Sequence, residues 1–175
     1  MAKVKDHINT ILQLANDMHK IQVELKTVGI SEMLGLMKNR IFKDGLDSSN
    51  NKIGSYSSKE ATFSPSRFFK KKPAKAMKFD NGYKGLREYL GRQTNFVDLN
   101  FSGSLKDAVK SFRKGDNFYI SIMDNSNDTT SEVLKAEGNE DRFNKTIFES
   151  TEKERKAAQE IVSNQISEIL KRYFK

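Results

Sequence analysis

Along the first 28 residues, apolar side chains recur at intervals of three or four. The positions that share this spacing are Val4, Ile8, Ile11, Ala15, Met18 and Leu25. Because an α-helix turns once in about 3.6 residues, these side chains would line one face of a helix from about Lys3 to Thr27. We expect Gly29 to end this helix.

A second helix is predicted directly after the first. Ser31 is a favourable N-cap, and Gly45 stands where a helix-ending glycine is expected. The apolar positions between them are Met33, Leu34, Leu36, Met37, Ile41 and Phe42.

Between Leu46 and Phe79 the helical periodicity is lost. A connection of this length is unusual inside a compact domain and often forms a functional arm. Disordered linkers are poor in aromatic residues, but this stretch contains Tyr56, Phe63, Phe68, Phe69 and Phe79. We therefore expect residues 46–79 to form an extended basic arm that becomes ordered against neighbouring subunits.

The segment from Gly82 to Leu105 is expected to organise the fold. Its pattern predicts a short helix from Gly82 to Leu90 and then a strand from Val97 to Phe101, where apolar and polar residues alternate. The turn between them would be Gly91, Arg92, Gln93 and Thr94. Another helix would begin at Ser102 or Ser104, with Leu105, Ala108, Val109 and Phe112 facing inward.

The last third of the chain returns to regular patterns. A turn at residues 113–117 precedes a strand from Phe118 to Met123, and a helical turn from Ser131 to Glu137 is expected to close at Gly138. Residues 146–148 suggest a short strand. Thr151 and Glu154 form a capping box for a final helix. The buried stripe predicted for that helix is Ala158, Val162, Ile166, Ile169 and Tyr173.

These elements predict an α+β protein. Long N- and C-terminal helices would pack on a small, mostly antiparallel sheet, with the extended basic arm projecting from it. At 175 residues the chain is long enough for one domain, and we expect a single domain over residues 1–175.

The composition limits the cellular compartment and the kinds of covalent or metal site that we expect. The chain has no cysteine, which excludes disulfides and thiolate zinc sites. Its start is amphipathic and charged, and no window approaches 18 apolar residues. We therefore expect a soluble protein without membrane contact, made in a reducing cytoplasm.

Positive charge is concentrated in one stretch. Residues 65–92 contain nine lysines and arginines against Asp80 and Glu88, a net +7 out of the total of +8. The remainder of the chain is therefore close to neutral. Lysines with interspersed phenylalanines could contact phosphates and stack on bases, but no known nucleic-acid-binding module accompanies them. The alternative is a solvated arm whose phenylalanines anchor it to protein.

The sequence offers no recognisable catalytic or metal-binding pattern. Asp124, Ser126 and Asp128 resemble half of a calcium loop, but Thr129 replaces its glycine and Lys135 its bidentate glutamate. The two histidines lie 12 residues apart on one predicted helix, on different faces. Nucleophile-elbow and phosphate-loop motifs are also missing. We expect no enzyme activity, cofactor or metal.

Four segments, in order, resemble bacteriophage head-to-tail connector or tail-completion proteins, a group of virion-morphogenesis and minor tail proteins. They are MLGLMKNRIFKDGLDSSNNKIGSYS, GYKGLREYLGRQTNFVDLNFSGSLKDAV, the following strand pair, and DRFNKTIFESTEKER. The resembling positions are Arg40, Ile53, Gly54, Tyr56, Ser57, Gly91, Arg92, Gln93, Thr94, Val97, Asp98, Leu99, Gly103 and Leu105. The lysine-rich insert before Gly82 and the longer N-terminal helix depart from the family pattern.

This resemblance implies a small α+β protein that forms a homo-oligomeric ring in the phage neck. Its expected partners are a portal, adaptor or head-closure protein and a tail protein, with non-specific contact to packaged DNA. It would reside in the virion, after assembly in the host cytoplasm. The rival hypothesis is a small basic nucleic-acid-binding protein.

The candidate site residues fall into three groups. The expected subunit-interface residues of the arm are Ile53, Tyr56, Phe63, Phe68 and Phe69. The residues expected to face a DNA channel are Lys70, Lys71, Lys72, Lys75, Lys78, Lys84, Arg87 and Arg92. The expected fold and turn residues are Gly91, Arg92, Gln93, Thr94, Asp98 and Gly103.

Overall fold

A computed structural model describes residues 2–64, 76–124 and 131–174. Its helices are α1 (Ala2–Asn39), α2 (Gly82–Tyr89), α3 (Ser104–Ala108), α4 (Glu132–Phe143) and α5 (Glu152–Tyr173). Its strands are β1 (Ala61–Phe63), β2 (Met77–Phe79), β3 (Val109–Lys114) and β4 (Asn117–Ile122). A π-helical turn, Arg40–Asp44, extends α1.

The two predicted N-terminal helices are one continuous helix. Gly29 neither ends a helix nor precedes an N-cap, because α1 runs through it to Asn39. A side chain at Gly29 would lie only 2.9 Å from Cγ2 of Val162 on α5. The close packing of α5 therefore depends on the missing side chain at this glycine. It outweighs the cost of glycine inside a helix, which is about 1 kcal/mol relative to alanine. Gly45, in the left-handed conformation, ends the extended helix as predicted.

α1 and α5 pack against each other in antiparallel directions. Gln165 on α5 donates a hydrogen bond to Glu24 on α1 at 3.0 Å. The Tyr173 hydroxyl, nearer the end of α5, donates to Asp17 at 2.6 Å. The α1 partners thus move toward the N-terminus as α5 proceeds toward its C-terminus. The long terminal helices predicted from sequence therefore form one antiparallel pair.

The described residues form two separate antiparallel sheets, each of two strands. In one sheet Phe63 on β1 pairs with Met77 on β2. In the other, Val109 on β3 pairs with Ile122 on β4, and the register continues to the turn at residues 114–117. The strand at 118–123 and the turn before it were predicted correctly. The helix expected from Ser104 to Phe112 instead ends at Ala108, since the next residues pair with β4.

Residues 97–101 do not form the predicted strand. The Leu99 backbone has φ 50°, which breaks an extended conformation. The Asp98 amide donates to the Tyr56 hydroxyl, and the Asn100 amide donates to the Asp98 carboxylate. Side chains therefore satisfy backbone groups that a strand would have used in a ladder.

The C-terminal third differs from the prediction in two places. α4 begins after the Ser131 cap as expected but runs through Gly138 to Phe143. Residues 146–148 are not a strand, because the amides of Ile147 and Phe148 donate to the Glu140 carboxylate at 2.6 and 3.0 Å. The predicted capping box at the start of α5, between Thr151 and Glu154, is confirmed.

The central core joins residues from distant parts of the chain. Its buried members are Ile41, Phe42, Ile53, Val97, Leu105, Val109, Ala136 and Ile147. The α+β class and the small antiparallel sheets are confirmed. Within the described ranges, every helix is too short or too polar to cross a bilayer.

Candidate functional site

The Asp98 carboxylate is the centre of a buried polar cluster. Oδ2 accepts hydrogen bonds from Arg87 Nη2 at 3.0 Å and from Gln93 Nε2 at 2.6 Å. Oδ1 accepts from the Tyr56 hydroxyl at 2.7 Å and from the Asn100 amide at 2.9 Å. We call Tyr56, Arg87, Gln93 and Asp98 the Asp98 hub. Its acceptors are saturated by donors from three separate segments, so it fixes the positions of those segments.

Arg87 is held from several directions. Its Nε donates to the Gln93 carbonyl at 3.0 Å, and its guanidinium lies 4.3 Å from the centre of the Tyr56 ring. Only 2% of the residue is exposed. A buried ion pair is tolerated when geometry and additional hydrogen bonds compensate desolvation, and the hub meets both conditions.

Tyr56 acts as a hydrogen-bond donor in the hub. Burial raises the pKa of its phenol well above the ordinary value, and the neighbouring Asp98 charge acts in the same direction. The phenol therefore remains protonated at physiological pH. A phenol in this state can donate to a carboxylate but offers no base for catalysis.

The residues predicted to turn the chain do so. Gly91 and Gly103 both have positive φ, 66° and 90°. Gln93 also braces the loop, because its Nε2 donates to the Phe96 carbonyl at 2.8 Å and its Oε1 accepts from the Asn95 amide at 3.1 Å. Arg92 lies over the Phe101 ring at 4.6 Å, and the Thr94 hydroxyl is 3.4 Å from the Glu88 carboxylate.

The described part of the predicted arm packs on its own chain, and the burial of Ile53 corrects the interface assignment of that residue. Ile53 is buried in the central core and Tyr56 belongs to the hub. The Phe63 ring contacts the rings of Phe79 and Tyr83 at centroid distances of 5.9 and 6.1 Å. Hydrophobic and aromatic contacts within the monomer therefore hold residues that were assigned to a neighbour. Phe68 and Phe69 lie outside the described residues.

The lysines and arginines that were predicted to face DNA lie in different environments in the structure. The prediction that Arg87 faces a DNA channel is wrong, because Arg87 is buried in the hub and cannot reach a phosphate. Lys78 is 59% exposed and pairs with Glu60 at 2.8 Å, while Lys84 is half-buried and Arg92 is exposed over Phe101. The other four candidates, Lys70, Lys71, Lys72 and Lys75, lie outside the described residues.

A second buried ion pair, which sequence reasoning missed, connects the π-helical turn after α1 to the first turn of α5. Arg40 Nε donates to Glu154 at 2.7 Å, and its Nη2 donates to the Glu149 carbonyl at 2.6 Å. Glu154 also accepts from the Thr151 amide at 2.6 Å. The capping box was visible in the sequence, but the partner of Glu154 lies 114 residues away. No local signal could have identified that pairing.

An open cleft of about 430 Å³ lies beside the hub. Tyr56, Tyr83, Phe101 and Phe143 contribute aromatic surface, and Arg142 contributes a cation. Tyr83, like Tyr56, has its pKa raised by burial. Ser102, Ser104 and Lys135 also border the cleft, and its aromatic surface favours contact with apolar groups.

Asp124, the first carboxylate of the pattern that resembles a calcium loop, has a structural role. Asp124 Oδ1 accepts from the Ser131 hydroxyl at 2.6 Å and from the Glu132 amide at 2.7 Å, so it caps the start of α4. Ser126 and Asp128 lie outside the described residues. Within the part of the chain that the structure describes, histidines and carboxylates form no cluster suited to a metal ion.

The apolar face predicted for the first helix is largely exposed at its N-terminal end. Val4, Ile8 and Ile11 belong to this face, and each is more than half exposed. Periodicity identifies an apolar face without identifying what covers it. No family model, curated protein or solved structure matches the chain.

Proposed function

We propose that this chain is a structural virion protein of a tailed bacteriophage. It assembles into a ring in the neck or tail-completion region and joins the head connector to the tail. The observation that carries the proposal is the exposed apolar stripe at the N-terminal end of α1, on a chain in which 31% of residues are charged. Exposed apolar patches mark surfaces that contact another protein or a membrane, and we assign this one to a neighbouring subunit.

The internal chemistry of the hub also favours a structural role. Arg40, Tyr56, Gln93 and Asp98, which carry the resemblance to connector proteins, are all engaged in hydrogen bonds that hold the fold. Their polar groups are therefore occupied in positioning separate segments. A shape fixed by such contacts suits a subunit that must fit its neighbours repeatedly around an axis.

Packaged DNA remains the proposed neighbour of the basic arm. The lysines at 70, 71, 72 and 75 give the arm its charge, and lysines attract phosphate without regard to base sequence. Arg87 takes no part in this contact because it is buried against Asp98. The proposal therefore assigns DNA contact to the arm rather than to the hub.

Assembly of the purified full chain tests the proposal. Mass photometry and negative-stain electron microscopy should show closed rings of one size. Mass spectrometry of purified virions should detect the chain in the particle. A monomer or dimer that is absent from virions, but binds duplex DNA with a steep salt dependence, would establish the rival nucleic-acid-binding function.

A further inference from the structure

The N-terminal end of α1 projects past the end of α5. The last side-chain hydrogen bond from α5 joins Tyr173 to Asp17, and Arg172 and Tyr173 border a hollow at Gln13. Residues 2–12 lie upstream of this point. At 1.5 Å per residue, the projecting segment is about 16 Å long.

This projecting segment carries an apolar stripe. Its members and their exposed fractions are Val4 at 63%, Ile8 at 52%, Ile11 at 55% and Leu12 at 58%. The spacing of four, seven and eight residues from Val4 places them on one helix face. We call these residues the N-terminal stripe. Their spacing matches that of the anchors by which a helix occupies an apolar groove.

An apolar groove lies elsewhere on the same chain, between α1 and α5. It has a volume of about 430 Å³ and is open to solvent. Its apolar lining comprises Gly29, Met33, Ala158, Val162 and Ile166. Gly29 lacks a side chain, so α5 approaches α1 closely there and shapes the floor of the groove. We call it the interhelical groove.

The stripe cannot reach the groove of its own chain. Ile8 and Gly29 belong to the same continuous helix and are separated by 21 residues, or about 31 Å along its axis. A helix cannot fold back onto itself without breaking. Contact between these two surfaces therefore requires two copies of the chain.

The charges near the stripe favour a protein groove over a lipid surface. Between Val4 and Leu12 the charged residues are Lys5 and Asp6, which have opposite signs. Helices that bind membrane surfaces usually have a polar face rich in lysine and arginine. The groove carries one charged lining residue, Arg155, at its edge among serines and glutamine. A nearly neutral helix and an apolar groove are therefore complementary.

We propose that the N-terminal stripe of one copy docks in the interhelical groove of the next copy. The two patches differ, so the contact is heterologous. After two copies have docked, one still has a free groove and the other still has a free stripe. Repetition of such a contact produces a ring when the rotation closes. This inference rests on the ring function proposed above and identifies the contact that builds the ring.

Cysteine cross-linking tests the docking directly, because the chain contains no native cysteine. One chain carries Ile8→Cys in the stripe, and a second carries Ser163→Cys at the edge of the groove. With a short thiol-to-thiol cross-linker, the mixture should give a covalent dimer that neither variant gives alone. Cross-linking of Ile8→Cys chains to one another would overturn the proposal, because it would mean that stripes pair with stripes.

A chain that carries both cysteines separates the docking from the ring itself. It should yield a ladder of covalent oligomers that ends at the size of the ring. Rings seen by microscopy without any cross-link between positions 8 and 163 would refute the docking and leave the ring function intact. A ladder that stops at the dimer would refute the ring and its head-to-tail arrangement, because it would mean that two copies dock reciprocally and leave no free stripe or groove.

Charge placed in the stripe provides an independent test. Ile8→Asp should raise the protein concentration needed for half-assembly by more than about tenfold, since it removes a buried aliphatic anchor. Asn9→Asp is the matched control, because it adds the same charge one residue away on another face of α1 and should leave assembly unchanged. Both positions are exposed, so melting temperatures should match those of the unaltered chain. Equal assembly of both variants would contradict the docking.

Discussion

At the scale of single residues, Asp98 is expected to be the most sensitive polar position of the hub. Asp98→Ala leaves the Arg87 guanidinium buried without its counter-charge. Removing one member of a buried ion pair typically costs about 3–5 kcal/mol. We therefore expect urea unfolding to show a loss of that size.

Tyr56→Phe is the matched control for Asp98→Ala. It deletes the hydrogen bond that the hydroxyl donates to the same carboxylate and the one that it accepts from the Asp98 amide, and it keeps the ring beneath Arg87. The expected cost is about 2 kcal/mol, since each hydrogen bond contributes about 1 kcal/mol. If the two variants lost similar stability, the buried ion pair would not be the main contribution of the hub.

A second prediction at this scale concerns pH and Asp47. Burial opposes ionisation, but hydrogen bonds from Lys145 and from the amides of Asn51 and Ser49 outweigh it and lower the pKa of Asp47 below the ordinary 3.8. A lowered folded-state pKa contributes stability that is present above pH 3.8 and is lost as the pH falls through the lowered value.

Asp47→Asn should therefore flatten part of the acid limb of the stability curve. The unaltered chain should lose more stability than the variant between pH 5 and the acid end of the titration, measured by urea unfolding at each pH. Asp80→Asn, at an exposed turn position, is the control and should retain the steeper limb. Parallel curves for Asp47→Asn and the unaltered chain would contradict this assignment.

Sequence reasoning identified the hub residues but not the relationships among them. The turn at 91–94 followed from local chemistry, and Asp98 was recognised through resemblance. Arg87 was grouped with exposed lysines because a sequence displays charge without displaying burial. Its pairing with Asp98 depends on how α2 lies against the loop at 96–98, which is a tertiary property.

At the scale of elements, Gly82 and Gly91 form a natural pair for comparison. Both have positive φ, 54° and 66°, so alanine is strained at either position by about 1–2 kcal/mol. At Gly82 an added Cβ would also lie 2.0 Å from the Lys59 carbonyl oxygen, whereas at Gly91 nothing lies within 4 Å. We expect Gly82→Ala to destabilise the protein more than Gly91→Ala by at least about 1 kcal/mol.

Urea unfolding of the two glycine variants measures this difference. The amide exchange rate of Lys84, whose backbone N–H donates to the Ser57 carbonyl at 3.0 Å, provides a local readout. It should rise in Gly82→Ala and stay unchanged in Gly91→Ala, because only the first variant pushes 57–59 away from α2. Equal effects would mean that the close approach can relax without cost.

Elements with strong local signals were predicted well, and those decided by distant partners were not. The Thr151 cap and the turn at 113–117 needed only neighbouring residues. The break expected at Gly29 failed because Val162 packs there, and the strand expected at 97–101 failed because side chains occupy its backbone groups. Hydrophobic spacing gave the faces of the helices but not their partners.

At the scale of the whole molecule, some described residues of the arm are buried in the core and others lie at the surface. Ile53 belongs to the core, while Lys78 on β2 pairs with Glu60 across a small sheet. The lysines that we propose to contact DNA, at positions 70, 71, 72 and 75, lie outside the described residues. A test of the arm should therefore spare Lys78 and alter only positions 70–75.

The last prediction replaces Lys70, Lys71, Lys72 and Lys75 with glutamine, which keeps the length of the chain. The melting temperature should change by no more than the few degrees that correspond to about 1 kcal/mol, because the proposal assigns these lysines to DNA contact and not to the folded core. Binding of duplex DNA by the assembled protein should weaken. The slope of log affinity against log salt should become shallower by about three to four if all four lysines contact phosphate.

The matched control replaces the same four lysines with arginine and should preserve both affinity and slope, since phosphate attraction depends on charge. Particles carrying the glutamine variant should retain less packaged genome than those carrying the arginine variant. An unchanged salt slope would remove DNA from the function of the arm. A large loss of thermal stability would instead assign these residues to the folded core, because attraction to phosphate contributes nothing to the stability of the isolated chain.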